Sequence, residues 1–451
     1  MKKTLIEVRE LKKYFPLVRD TRLFKKGGML RANDGVSFAL KEGEVFGVVG
    51  ESGSGKSTLG KTVLQLIAPT SGSVLYAGKT LEEVLPSYLF QTLKRAEKYR
   101  QEYQKNGLKE QSTKTAVGVL GGFLCLSKGA FLRGLQVLRA YYFALKKGDK
   151  SKAEQAAEEL NSLRALHGKD EAFSALERER KEGVELTLLK EKEMRALRRD
   201  LQIIFQDPYS SLNPRKTVEQ IIEEGLIEHK LFKEDKKMRR EYLLSLMRDC
   251  GLQAYMLSRY PHQFSGGQRQ RVCIARALAV KPKFVVCDEC VSALDVSIQS
   301  QILNLLAELK KKRGLTYLFI SHDLGVVRHL CDRVAVLYFG KIVEQGSANA
   351  LFENPLHPYT IALISALPDI DGKKEERIVL KGQPPTPTGE SKGCPFAPRC
   401  FMAQDVCLQK KPPLKEWKRG RWAACHFADV SLEEKYARAK EGLESEKEQK
   451  I

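Results

Sequence analysis

The sequence has no hydrophobic run long enough to cross a membrane. Its longest apolar stretch, Thr115 to Ser127, is bounded by Lys114 and Lys128, well short of the roughly 18–20 apolar residues a spanning helix needs. No secretory signal is expected, because Met1-Lys-Lys-Thr is followed by Glu7, Arg9 and Glu10 before an apolar core can build up. Acidic residues are in deficit: 56 Asp and Glu face 77 Lys and Arg, a formal net charge of +21. The excess begins at once, with eleven Lys/Arg against four Asp/Glu in residues 1–41. That balance suits nucleic acid, an anionic membrane surface or an anionic small molecule, and equally a solvated basic face. A disulfide framework is not expected from the ten cysteines, since a 451-residue chain without a signal is no small secreted domain. The 42% hydrophobic content excludes a disordered chain, and the length predicts two or three domains.

What is present is a phosphate site. Val45-Phe-Gly-Val-Val49 reads as a strand buried on both faces. Gly50-Glu-Ser-Gly-Ser-Gly-Lys-Ser57 follows, and Thr58 to Ile67 reads as a helix. Glycines let successive N–H groups curl round phosphates, and the helix N-terminus adds its positive dipole. The candidate ligands are Gly50, Ser52, Gly53, Ser54, Gly55, Lys56, Ser57 and Thr58, with Lys56 reaching the β- and γ-phosphates and Ser57 ligating Mg²⁺. A second strand, Lys283-Phe-Val-Val-Cys-Asp-Glu289, ends in two carboxylates. Asp288 suits Mg²⁺, and Glu289 suits a general base for the attacking water. A third, Thr316 to Ile320, runs into Ser321-His322, whose ring could meet the γ-phosphate. Three strands ending in phosphate chemistry fit an α/β sheet with its site at the carboxyl ends.

Phe264-Ser-Gly-Gly-Gln-Arg-Gln-Arg271 resembles the signature loop of ABC-type ATPases. The other motifs stand in the family's order: Gln206 matches the Q-loop glutamine, also a Mg²⁺ ligand, Ser292 to Asp295 the D-loop, and His322 the switch histidine. Phe15, or its neighbour Tyr14, matches the aromatic that stacks on adenine. Gln206-Asp-Pro-Tyr-Ser-Ser-Leu-Asn-Pro214, Tyr260-Pro-His-Gln-Phe-Ser-Gly-Gly267 and Asn354-Pro-Leu-His-Pro-Tyr-Thr360 narrow the resemblance to the ATP-binding subunits, F-type, of oligopeptide/dipeptide ABC importers. Two residues depart from that pattern, Cys290 for a proline and Phe264 for a leucine, and both read as packing changes.

The resemblance implies an α/β fold: a P-loop nucleotide-binding domain with an antiparallel β subdomain and a helical signature subdomain, joined here by a helical insertion and a cysteine-rich C-terminal extension. The expected divisions are 1–80, 81–196 (the insertion), 197–350, 351–430 (the extension) and 431–451 (a charged tail). It also implies that Ser265, Gly266, Gly267 and Gln268 close over ATP held by a partner chain, while Lys56 holds this chain's own. Glu289, His322 and Gln206 would make that own site competent for hydrolysis. The implied partners are a second homologous ATPase subunit in a heterodimer, two transmembrane permeases and an extracytoplasmic solute-binding protein, on the cytoplasmic face of the membrane. A soluble ABC ATPase working on nucleic acid or ribosomes is the alternative. Against it stand the single cassette and glycine breaks unlike a long coiled coil, so no nucleic acid is expected.

Two regions remain. Cys394-x5-Cys400-x6-Cys407-x17-Cys425 follows a proline-rich extended stretch, Gly382 to Thr388, and its own prolines predict a loop. Four thiolates so grouped could hold Zn²⁺ or an iron–sulfur cluster, or no metal. CxxC pairs are missing among them, and the resemblance favours a [4Fe–4S] cluster in a structural role. In the insertion, helices are expected over Leu81–Lys105, Thr115–Lys146, Lys150–Leu166 and Glu171–Leu197. The second carries Val117, Leu120, Phe123, Leu124, Phe131, Leu135, Leu138, Tyr142 and Leu145. These residues fit either the core of a helical bundle or an amphipathic segment on a membrane or permease.

Overall fold

A computed structural model describes residues 2–17, 28–180, 182–367, 377–380, 382, 389 and 392–448. The chain forms two compact units, Met1–Gly72 with Leu197–Ile451, and Ser73–Ala196. It leaves the first after Gly72 and returns at Leu197.

The first unit is organised by an eight-stranded sheet. Its order is Lys415–Lys418, Arg421–Ala423, Lys341–Ser347, Arg333–Tyr338, Val45–Val49, Thr316–Ile320, Phe284–Asp288, Leu201–Ile204. The last five strands are mutually parallel, and the first three extend the sheet antiparallel. Val45–Val49, Phe284–Asp288 and Thr316–Ile320 are buried at every position, as apolar, β-branched runs covered on both faces must be. Register pairs Val48 with Ile320, and Ile320 with Asp288. The three strands that end in phosphate chemistry are therefore neighbours, with their carboxyl ends level.

Around this sheet lie an antiparallel pair, Thr4–Pro16 with Met29–Lys41, and helices Val218–Glu228, Lys236–Asp249 and Gly266–Ala279. Those helices bury Val218, Ile222, Leu243, Leu246 and Val272 in the core shared with the sheet. Cys250, Cys273, Cys287, Cys290 and Cys331 are buried there as small apolar groups, while Cys125 is half-buried. The P-loop helix is shorter than expected. It runs Lys56–Val63, and the chain turns at Gln65, whose φ is +55°. The cysteine segment also differs from a plain loop: Ala397–Arg399 is a 3₁₀ turn and Asp405–Gln409 a short helix. Pro398 lies at its start, where no backbone N–H is needed. Residues 383–388 of the expected proline-rich stretch lie outside the described residues.

The second unit is mostly helical, but its helices are shorter than their periodicity predicts. The first expected helix breaks at Leu85, with φ +45° before Pro86, and again at Arg95. The second divides into Gln111–Leu120, a 3₁₀ turn Gly121–Cys125, and Lys128–Lys147. Gly121 has φ +56°, and a Cβ there would lie 2.1 Å from the Glu177 carboxylate, which accepts the Gly122 N–H at 3.0 Å. The third runs Lys150–His167, capped by Asp149. The fourth stops at Glu179, and a strand Val184–Glu185 intervenes before helix Glu191–Leu197. Val117, Leu120, Phe123, Leu124, Phe131, Leu135, Leu138 and Tyr142 are all buried. Phe123 meets Phe173 edge-on at 5.6 Å, and helix Lys128–Lys147 packs along Lys150–His167. The stripe is spent on a bundle core, so an open face for membrane docking is not what it forms. No helix among the described residues is long and apolar enough to cross a membrane.

Candidate active site

The P-loop owes its shape to its glycines. Gly50, Gly53 and Gly55 have φ of +153°, +79° and +98°, a region where L side chains are strained. Close approach adds a second reason, since a Cβ on Gly55 would lie 2.0 Å from the Ala32 carbonyl. The same strand reaches in with Asn33, fully buried, whose Nδ2 donates to the Gly55 carbonyl at 3.1 Å. Lys56 opens the helix, its side chain 4% exposed, and donates to the Gly50 and Glu51 carbonyls at 2.8 and 2.9 Å. Burial pushes its ammonium pKa down, opposed by Glu289, Asp288 and Glu51.

Glu289 gathers the rest. Its Oε2 accepts from Gln206 Nε2 at 3.0 Å and lies 3.3 Å from His322 Nδ1, while Oε1 is 3.9 Å from Lys56 Nζ. Its φ is +47°, a strained value for a glutamate and one that fixes where the chain turns after the strand. Asp288 is buried, 3.9 Å from Lys61 Nζ and hydrogen-bonded to Ser57. Burial pushes its carboxyl pKa up, against the Ser57 bond and Lys61. Asp288 Oδ1 and Ser54 Oγ are buried with no hydrogen-bond partner among the described residues. An orphaned oxygen on a carboxylate that neighbours Ser57 fits a Mg²⁺ site, because hard cations take oxygen ligands.

The remaining predicted groups stand apart from that cluster. Ser265 caps helix Gly266–Ala279 in a reciprocal box with Gln268. Gly267 is packed so closely that a Cβ would lie 2.6 Å from Ile298. Asp295 caps helix Val296–Arg313 through the Ile298 N–H at 3.0 Å. Cys290 and Phe264, the two departures, are both buried. Tyr14 is committed to a hydrogen bond with Asp34 and lies under Arg31. Phe15 is half-buried with Lys13 Nζ 4.8 Å from its ring centre.

In the C-terminal extension, Cys394, Cys400, Cys407 and Cys425 line one small cavity with Phe396 and Met402. Burial pushes the Cys425 thiol up to about 12 and raises Cys394 and Cys400, and neighbouring thiols add to each shift. Two of the sulfurs accept backbone N–H bonds, Cys400 from Met402 at 3.3 Å and Cys425 from Phe427 at 3.4 Å. Among the described residues no three His, Cys, Asp or Glu stand where a metal ion could be held.

Comparison with known proteins decides the family. The ABC transporter family profile matches residues 33–180 and 162–292, and the profile for the C-terminal region of oligopeptide/dipeptide transporters matches 343–407. The oligopeptide transport ATP-binding protein AppF of Bacillus subtilis is 36% identical over 427 residues, 94% of this chain and 97% of that protein. The dipeptide transport ATP-binding protein DppF of Escherichia coli is 35% identical over 430 residues, 95% of this chain and 96% of that one. The chain belongs to the ABC ATPases of the oligopeptide/dipeptide transport family. The dimeric post-hydrolysis structure of the ATP-binding cassette MJ0796, with ADP and phosphate bound, is 20% identical with a TM-score of 0.47, and the match covers 76% of this chain and 99% of that one.

In this ABC ATPase the structure brings together Lys56, Ser57, Asp288, Glu289, Gln206 and His322, from four separated stretches of sequence. Three further residues contact the P-loop, a role that sequence reasoning assigned to none of them, although Tyr359 lies within the Asn354 to Thr360 motif. Asn33 holds Gly55, and Tyr359 and Arg399 both hold Glu51. Arg399 carries one weak signal, its place between two of the four grouped cysteines.

Proposed function

We propose that this ABC ATPase drives the import of peptides, or a related small solute, from the cytoplasmic face of the cell membrane. The observation that supports it most is the Glu289 carboxylate, joined by Gln206 and His322 and 3.9 Å from Lys56. A carboxylate so held can polarise a water aimed at a γ-phosphate, while Lys56 and the loop N–H groups take up the charge. Residues 50–58 would cradle the phosphates and Phe15 would stack on the base. Ser57, Asp288 and Gln206 would hold Mg²⁺, which supplies charge neutralisation. Ser265 to Gln268 are tied to one another rather than to Lys56, which suits a loop that acts on the nucleotide of a second, homologous ATPase subunit. The peptide reading rests on the relatives, and with it two permeases and a solute-binding protein as partners. Nothing favours the nucleic-acid alternative.

For the four cysteines that line one cavity we propose, on the family resemblance, a [4Fe–4S] cluster as a structural staple of the extension. Four cysteine thiolates are the usual ligand set, and N–H bonds to cysteine sulfur tune the potential of such a cluster. Zn²⁺ is the alternative, since four thiolates also make a closed tetrahedral set; among the described residues no group of three or more such ligands is placed to hold a metal ion of either kind. The function is tested with the chain assembled with its permeases in vesicles. ATP-dependent uptake of peptide delivered by the solute-binding protein is expected, and its absence in Lys56→Ala. Uptake unchanged in that variant would overturn the reading.

A further inference from the structure

Glu51 presents an electrostatic problem. It follows Gly50 in the phosphate cradle, so its carboxylate stands among groups that must receive polyphosphate, and like charges there oppose binding. The structure answers it from the far end of the chain. Arg399 closes on Glu51 with both arms, at 2.8 and 3.0 Å, and its side chain is 7% exposed. The Tyr338 side chain is a second electrostatic neighbour of this guanidinium. The Glu51 N–H donates to the Tyr359 hydroxyl at 2.9 Å, and its carbonyl accepts from Lys56 Nζ at 2.9 Å. Each polar group of this one loop residue is thereby committed, two of them to partners more than 300 positions away.

Those partners are themselves immobilised. Phe396 is fully buried, with ring centres 5.3 Å from both Tyr338 and Tyr359. Tyr338 and Tyr359 are 4.6 Å apart. His357 caps the helix that carries Tyr359, accepting its N–H at 3.1 Å. The Arg399 turn is therefore welded to an aromatic wedge, and a bidentate fork on such a base fixes direction as well as charge.

We propose that Arg399, with Tyr359, is a positioning residue for the phosphate cradle: it neutralises Glu51 and holds the first turn of the P-loop in its nucleotide-receiving shape. The extension is then a working part of the ATP site. The inference rests on the reading that residues 50–58 bind ATP, and two sets of variants separate the claims.

Equilibrium binding of Mg·ATP is measured on the full-length chain, and kcat and KM for ATP on the assembled transporter. Arg399→Ala is expected to weaken ATP binding roughly tenfold, as loss of a charged bidentate pair implies. KM should rise in parallel, with kcat at saturating ATP within about twofold, because Arg399 touches no reacting atom. Removing the stranded charge as well, in Arg399→Ala/Glu51→Gln, is expected to recover most of the loss. Arg399→Lys, which keeps charge without the fork, should fall between. Should Arg399→Ala prove insoluble, Arg399→Gln with and without Glu51→Gln makes the same comparison. Unchanged ATP affinity in the single variant, or a double variant as weak as the single or weaker, would overturn the proposal. Lys56→Ala is the control: wild-type affinity there would sink the ATP site itself, whatever Arg399 does.

Discussion

The phosphate site and the inserted unit are held to shape in different ways. At the site, backbone conformation does the specifying. Gly50, Gly53, Gly55 and Glu289 all stand at positive φ, and the side chains that matter converge on carbonyls and carboxylates within a few ångströms. In residues 73–196 the shape comes from apolar side chains instead. Phe123 packs edge-on against Phe173, and Gly134 lets the Phe123 ring approach so closely that a Cβ would lie 2.3 Å from it. The lesson concerns tolerance. A cradle of N–H groups admits few residue types at each position, whereas a packed core admits any that fill the volume.

That contrast can be broken at three points. The largest effect on ATP affinity is expected at Gly55→Ala, where the new Cβ meets the Ala32 carbonyl at 2.0 Å. ATP binding should weaken on the order of a hundredfold, since left-handed backbone alone costs alanine about 1–2 kcal/mol before the clash is counted. Isothermal titration with Mg·ATP checks it, and affinity within a few-fold of wild type would refute the backbone argument. Next comes Phe123→Ala. It should cost about 3–5 kcal/mol of stability in the inserted unit, seen as earlier proteolysis of residues 73–196, while ATP affinity stays within about twofold. A large change in affinity would show that the two regions do not differ in the way described.

The smallest effect is expected at Asp249, inside the ATPase unit but away from the site. Burial pushes its carboxyl pKa up, but hydrogen bonds from Lys312 and Arg313, both at 2.6 Å, outweigh burial and hold it below the usual value. A depressed carboxyl pKa stabilises the fold above its unfolded value, and the benefit is lost as pH falls through the folded value. Asp249→Asn should therefore cost about 1 kcal/mol at neutral pH, with the difference from wild type shrinking below about pH 4. Denaturation at several pH values follows it, and a pH-independent difference would argue against the ion pairs.

How much was legible follows from the same physics. The strand–loop–helix at residues 45–63, the acidic strand end and the signature loop could be read directly, because each function needs a particular residue at a particular spacing. The inserted helices were legible as helices but not in extent. The break at Leu85 follows from the adjacent Pro86, whereas the Gly121 turn is locked by Glu177, a contact between distant segments. The buried state of the Val117 to Tyr142 stripe could not be told from a membrane-seeking one by periodicity alone, since both need the same apolar face. The contacts of Arg399 and Tyr359 with the P-loop could not be read for a similar reason. Their partner Glu51 is 348 positions from Arg399 and 308 from Tyr359, and nothing local marks the pairing.

On the proposed reading, the groups around Glu289 form a competent hydrolytic site in this chain. Glu289→Gln, in the transporter assembled with a second ATPase subunit, tests it most directly. The amide keeps the size of the side chain and removes the base. ATP binding is expected to persist with turnover reduced at least a hundredfold, in line with the usual contribution of a general base, leaving ATP trapped in the complex. Hydrolysis at the wild-type rate would contradict the account and place the working site in the partner subunit.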